Sequence, residues 1–134
     1  MGSIYKNGIA YTSGGGGGAS DSGWLELDGT AAVNPDYKFY YRKVGAFVFV
    51  QAQFRLASSM STSQTATLFT LPDGFRPKFT ASVTLRSLGS YNVLTDVTTS
   101  AVSIQEDGVC TVRTIQASLG TSTMYTIDVA FVSA

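Results

Sequence analysis

The chain has 134 residues, a size typical of one domain. Nine Lys and Arg residues balance nine Asp and Glu residues, so the formal net charge is zero, which argues against a basic nucleic-acid binder and against a polybasic membrane-surface protein. The sequence has no His and a single Cys, which excludes His-dependent triads, an internal disulfide and a Cys-based zinc site.

The first 23 residues differ in composition from the rest of the chain. Residues 1–3 are open to interpretation as native sequence or as a cloning remnant. Residues 4–11 are apolar around an Asn7-Gly8 turn signal, which predicts a small hairpin or the end of a longer preceding region. Five consecutive glycines at 14–18 predict a flexible linker, because backbone entropy prevents them from holding a strand or helix. A phosphate-binding loop is disfavoured because the run lacks the Gly-Lys-Ser/Thr ending. We therefore divide the chain into an N-terminal segment with a glycine-rich linker, residues 1–23, and a head domain, residues 24–134.

From residue 24 onward, apolar residues alternate with polar ones at a period of two. Helical spacing is not sustained over three turns anywhere in the chain, whereas turn signals recur every 8–12 residues or so, as in β-sandwiches. Strands are predicted at residues 24–27, 37–43, 46–56, 66–71, 79–85, 91–98, 101–105, 109–117 and 125–131. The sequence thus predicts an all-β fold, an antiparallel β-sandwich or jelly roll of about eight strands.

The alternation also predicts which side chains form the core. Phe79, Ala81, Val83 and Leu85 share one face of the clearest predicted strand, with polar residues between them. The residues expected to be buried are Val50, Phe54, Val83, Leu85, Ile127 and Val129.

The strand predicted at 46–56 is unusual because Phe47 and Phe49 point away from its small and branched face. On the preceding predicted strand, Tyr40 likewise points away from the face that Phe39 and Tyr41 share. Two interpretations stay open. Either both faces of these strands are buried inside one domain, or these aromatics contact another copy of the chain.

Residues with catalytic or metal-binding chemistry are sparse. The carboxylates are scattered, and Asp28, Asp36, Asp73 and Asp107 stand beside Gly or Pro, where Asp forms turns. Cys110 lies in an apolar strand, which predicts a buried, unreactive thiol. We expect no catalytic residues, no metal site, no cofactor and no enzymatic activity.

The segment Leu71-Pro72-Asp73-Gly74-Phe75-Arg76-Pro77 is the most specific motif of the chain. Pro72 presets the backbone and Gly74 permits a tight reversal, so the segment predicts a structural turn between strands. Phe75 is expected to cover the edge of the core, and Arg76 is expected to bond the domain's own backbone or a carboxylate. Pro77 is expected to end the backbone hydrogen-bond ladder before the next strand begins.

The order of motifs carries a family resemblance. Gly23-Trp24 is followed by Tyr41-Arg42-Lys43-Val44-Gly45 with its hydrophobic strand, and then by the turn motif. From about residue 23 to 134 the chain resembles the C-terminal domains of bacteriophage and prophage tail proteins, notably receptor-binding and tail-fibre head domains of phages that infect Gram-positive hosts. Those sequences usually have Tyr where this chain has Phe75.

The resemblance implies a β-sandwich or jelly-roll head in the virion tail, commonly a homotrimer, that attaches to a host cell-surface saccharide. It also implies other virion tail proteins as partners, and synthesis in the bacterial cytoplasm without a signal peptide, with neither nucleic-acid binding nor membrane insertion. The alternative is a structural virion module, such as a collar, baseplate or decoration protein, that binds only other virion proteins. Residues predicted to bind the ligand are Tyr91, Asn92, Arg86 and Asp96, and those predicted at the oligomer interface are Phe47, Phe49 and Tyr40.

Overall fold

A computed structural model describes residues 20–134, together with two short strands nearer the N-terminus. The strands are β1 (Ile4–Tyr5), β2 (Ile9–Ala10), β3 (Leu25–Asp28), β4 (Lys38–Val44), β5 (Phe47–Phe54), β6 (Thr65–Thr70), β7 (Ala81–Val83), β8 (Arg86–Leu88), β9 (Leu94–Asp96), β10 (Ser100–Ile104), β11 (Val109–Thr114) and β12 (Met124–Val132). Strands β1 and β2 pair antiparallel, as the hairpin interpretation predicts. The residues interpreted as a cloning remnant and the predicted glycine linker lie outside the described residues.

Two antiparallel sheets form a sandwich, which confirms the predicted fold class. The larger sheet has the strand order β3-β4-β5-β12-β8-β9, and the smaller has the order β6-β11-β10-β7. The two sheets contain ten strands, against about eight predicted. Within the described part of the chain, no helix is long and apolar enough to cross a membrane.

The core lies between the two sheets and follows the predicted alternation. Five of the six predicted core residues are buried, and Val129 is half-buried at the edge of the core. Phe39 is at the centre, with its ring centroid 4.5 Å from that of Phe69 and 5.2 Å from that of Phe54. Burying a side chain of this size contributes roughly 1.5–3 kcal/mol to stability, so this cluster fixes how the sheets pack together.

The prediction of one continuous strand at 79–85 is wrong, because the structure has two strands in this region. Strand β7 belongs to the smaller sheet and ends at Val83, whereas β8 starts at Arg86 in the larger sheet. Leu85 stays buried at the crossover because both sheets share one core, so the alternation continues although the strand does not. Phe79, predicted to face the core, is 71% exposed and lies before the strand, with the Lys78 ammonium 5.8 Å from its ring centroid.

The motif at residues 71–77 forms a tight turn, as its sequence predicts. Gly74 has a φ of +91°, a left-handed conformation that favours glycine. Phe75 packs against the core, with its ring edge-on to Tyr41 at 4.8 Å between centroids. Arg76 Nε donates a hydrogen bond to the Leu71 carbonyl oxygen at 3.2 Å. Pro77 is buried and forms an isolated bridge with the C-terminal end of the chain.

Candidate functional site

The outer face of the larger sheet differs from an ordinary solvent-facing sheet surface. Along β5 the residues alternate, with Val48, Val50, Ala52 and Phe54 buried and the residue before each of them exposed. The outward residues of β4 and β12 lie beside these exposed residues of β5. The face divides into an apolar half and a polar half.

The apolar half, here called the apolar patch, consists of Val44, Phe47, Phe49, Ala130 and Val132. Phe49 lies between Ala130 and the ion-paired Arg42 of β4. Phe47 pairs with Val44 on one side and with Val132 on the other, so three apolar side chains lie in one row. Phe47 is 53% exposed and Phe49 is 37% exposed. Their exposure rules out burial within the domain, which was one of the two interpretations of these aromatics.

The polar half forms an open groove with a volume of about 920 Å³, here called the polar groove. Its floor is a row of outward residues from three neighbouring strands, Tyr40 of β4, Gln51 of β5 and Asp128 of β12. The Gln51 amide Nε2 donates to Asp128 Oδ1 at 3.4 Å. Trp24 and Tyr37 add aromatic surface to the groove lining. Flat aromatic rings next to carboxylate and amide groups are suited to binding polyhydroxylated ligands.

Two ion pairs flank the polar groove. Lys38 bonds Asp28 across β4 and β3, and Arg86 Nε donates to Asp96 Oδ1 at 3.0 Å across β8 and β9. The hydrogen bond that Lys38 Nζ donates to the Asp28 carboxylate raises the pKa of the Lys38 ammonium, so Lys38 stays charged. Each cation of the groove lining is therefore already partnered by a carboxylate from an edge strand of the sheet.

The residues predicted to bind a ligand come together only in part. Arg86 and Asn92 line the polar groove, and Asp96 adjoins it through its bond to Arg86. Tyr91 does not belong to the groove lining, and its side chain is 97% exposed. The strand predicted at 91–98 is also wrong at its start, because Ser90–Asn92 forms a short 3-10 turn with Tyr91 at φ +60° and Asn92 at φ +58°.

The residues predicted at an oligomer interface share one face but lie in different halves. Phe47 and Phe49 belong to the apolar patch, while Tyr40 lines the polar groove. Sequence reasoning did not assign Trp24, Tyr37, Gln51 or Asp128 to a ligand site. The alternation places Gln51 and Asp128 outward, but only the β5–β12 register makes them neighbours.

Two kinds of reactive group, a metal-ligand cluster and a reactive thiol, are absent from the described residues. No group of three or more Cys, Asp or Glu residues in this part of the chain could hold a metal ion. Burial raises the pKa of the Cys110 thiol to about 12, so this side chain stays protonated and unreactive, as predicted.

Comparison with known proteins identifies the fold. No family model and no curated protein matches the chain. Among solved structures, the chain is similar to the head domain of lactococcal phage bIL170, described in connection with a common fold for the receptor-binding domains of lactococcal phages. The TM-score is 0.59 at 16% sequence identity, and the match covers 83% of this chain and 97% of that chain. The chain therefore has the fold of a phage receptor-binding head domain.

Proposed function

We propose that this chain is the receptor-binding head of a bacteriophage or prophage tail protein, and that it attaches the virion to a saccharide on the surface of a Gram-positive host. The observation that carries the proposal is the polar groove, which lies on a fold shared with a lactococcal phage receptor-binding head. In this proposal residues 24–134 are the head, and residues 1–23 connect it to other tail proteins.

The groove offers the two kinds of contact that sugars need. The rings of Trp24, Tyr37 and Tyr40 line the groove and supply aromatic surface for stacking a pyranose ring, with the Arg42 guanidinium 5.9 Å from the Trp24 ring centroid. Asp128, Gln51 and Asn92 supply acceptors and donors for hydroxyl groups. These contacts hold a sugar without reacting with it, which agrees with a non-enzymatic role.

We further propose that the head is a homotrimer, with the apolar patch buried between copies. A contiguous set of exposed apolar side chains is typical of protein interfaces, and a domain with zero net charge has little protection against association. Three linked sugar sites would raise avidity by roughly 10²–10⁴ over a single weak site. The solvent-exposed Tyr91 stays a predicted ligand contact, outside the groove lining of a single copy.

The apolar patch also favours a second candidate function. If another virion protein covers Phe47, Phe49 and Val132, the chain is a structural virion module, such as a collar, baseplate or decoration protein, that binds proteins only. The two functions differ in whether the polar groove binds sugar, which a binding experiment decides.

A glycan array probed with the full chain tests the proposed function. We expect binding to a small set of bacterial saccharides, lost in a Tyr40→Ala variant because the stacking surface is removed. Thr111→Ala is the matched control, since Thr111 lies on a strand of the smaller sheet, away from the groove. Binding that survives Tyr40→Ala but is lost in Thr111→Ala would place recognition elsewhere, and a folded chain that binds no saccharide would favour the structural module.

A further inference from the structure

The polar groove has a charge distribution that bears on which saccharides it accepts. Four charged residues line it, the carboxylates Asp36 and Asp128 and the cations Lys38 and Arg86. The partners of the two cations, Asp28 and Asp96, are carboxylates as well. Four carboxylates and two cations therefore surround the groove, which makes its local charge negative.

The charge of each groove cation is offset by a neighbouring carboxylate. Lys38 and Arg86 lie at opposite flanks, and each already bonds a carboxylate on an edge strand. Arg86 bonds Asp96 through Nε, so a phosphate would reach only its remaining N–H groups, next to the Asp96 carboxylate that repels it.

The carboxylates of the lining face the groove without such neutralisation. Within residues 20–134, Asp36 and Asp128 have no Lys or Arg nitrogen within ion-pair distance, and the Asp128 carboxylate accepts from the neutral Gln51 amide at 3.4 Å. A carboxylate with free lone pairs accepts hydrogen bonds from adjacent sugar hydroxyls, whereas it repels a phosphate or a uronic acid.

From this arrangement we infer that the polar groove selects uncharged saccharides and rejects glycans that carry phosphate or carboxylate groups near the bound sugar. The inference rests on the proposed function, because it specifies the ligand class of the same groove. The charge preference can be wrong while the proposed function is right, namely if the groove binds anionic sugars.

The experiment uses sugar pairs that differ only in a phosphate. Amide chemical shifts of the isotope-labelled full chain are followed during titration with glucose, galactose and N-acetylglucosamine, and then with the 6-phosphate of each. We expect the neutral sugars to shift groove residues such as Gln51 and Asp128, and the phosphorylated forms to bind at least roughly tenfold more weakly, since the groove carboxylates repel the phosphate.

A matched pair of variants separates the groove charge from the overall charge. Asp128→Asn removes one negative charge from the groove, and Glu106→Gln removes one from the exposed turn between β10 and β11, so both change the net charge equally. We expect the preference for neutral over phosphorylated sugar to narrow severalfold in Asp128→Asn and to be unchanged in Glu106→Gln.

The outcomes distinguish the two claims. Equal or tighter binding of the phosphorylated sugars in the groove would overturn the inference and leave the proposed function standing. A preference that narrows equally in both variants would also overturn it, since the overall charge would then be responsible. If none of the six sugars shifts any groove residue, the inference fails, while the proposed function is decided by the glycan array.

Discussion

The two sheets of the sandwich present different outer faces, although both follow the same alternation. The smaller sheet exposes mainly polar or charged side chains, such as Thr65, Ser82 and Arg113, at its outward positions. The larger sheet exposes the aromatic rings of Phe47, Phe49 and Tyr40. The core below needs neither arrangement, so the exposed rings of the larger face are the feature on which the proposed contacts with partners and ligands rest.

The largest expected effect comes from placing a charge in the core that both faces share. Leu85→Asp puts an unpaired carboxylate at a buried crossover between the sheets, at a cost of several kcal/mol, so the variant should not melt cooperatively. Ser82→Asp is the control, because Ser82 points outward from the smaller sheet. Differential scanning calorimetry distinguishes them, and a cooperatively melting Leu85→Asp protein would show that the core assignment is wrong.

Two tight turns should differ in their tolerance of a side chain. Gly108 has a φ of +86°, and a Cβ there would lie 2.5 Å from the Leu71 carbonyl oxygen, whereas a Cβ on Gly74 would meet no atom within 4 Å. Gly74→Val should therefore cost only the backbone strain, about 1–3 kcal/mol, and Gly108→Val should cost more. Urea denaturation measures both. Equal losses of stability would contradict the predicted clash, and a Gly74→Val protein that is fully stable but fails to bind host cells would make the turn a ligand loop.

The outer faces should also differ in their effect on assembly. Phe49→Glu places a charge in the apolar patch and should convert the proposed trimer to a monomer, while Thr111→Glu on the smaller sheet should leave the trimer intact. Multi-angle light scattering at micromolar concentration gives the masses. A wild-type chain that is monomeric under these conditions would overturn the trimer proposal.

The smallest expected effect concerns pH. The Arg42 guanidinium, which bonds Asp21 at 2.9 Å, lowers the pKa of that carboxyl, helped by the Gly23 amide. A carboxyl with a lowered folded-state pKa stabilises the fold above about pH 4, and this contribution is lost as the pH falls through its folded-state pKa. Because the pair is largely exposed, Asp21→Asn should cost less than about 1 kcal/mol at neutral pH and nothing in strong acid. Thermal melts across this pH range should show the two proteins converging, and a constant difference would assign the effect to something other than charge.

The fold was largely predictable because it depends on patterns that a sequence displays directly. The period-two alternation and the Asp107-Gly108 turn between β10 and β11 predict antiparallel strands with one buried face. The same alternation wrongly predicted one continuous strand through Leu85. The two sheets share one core, so the pattern of burial continues where the chain passes from one sheet to the other.

The candidate site was less predictable because it depends on strand register across distant parts of the chain. Gln51 and Asp128 are 77 residues apart in sequence and become neighbours only through the β5–β12 pairing. Arg86 and Asp96 were found because they are close in sequence. Trp24 was missed as a site residue because nothing in its local sequence shows that it lies beside the groove.

The central claim is that recognition uses the outer face of the larger sheet, and cell binding tests it most directly. The labelled full chain is applied to a panel of Gram-positive bacteria, together with Gln51→Arg, which fills the polar groove, and Thr111→Arg, which adds the same bulk and charge to the smaller sheet. We predict that the wild-type chain binds a subset of the panel, that Gln51→Arg loses this binding and that Thr111→Arg keeps it. Binding that persists in Gln51→Arg and is lost in Thr111→Arg would contradict the account.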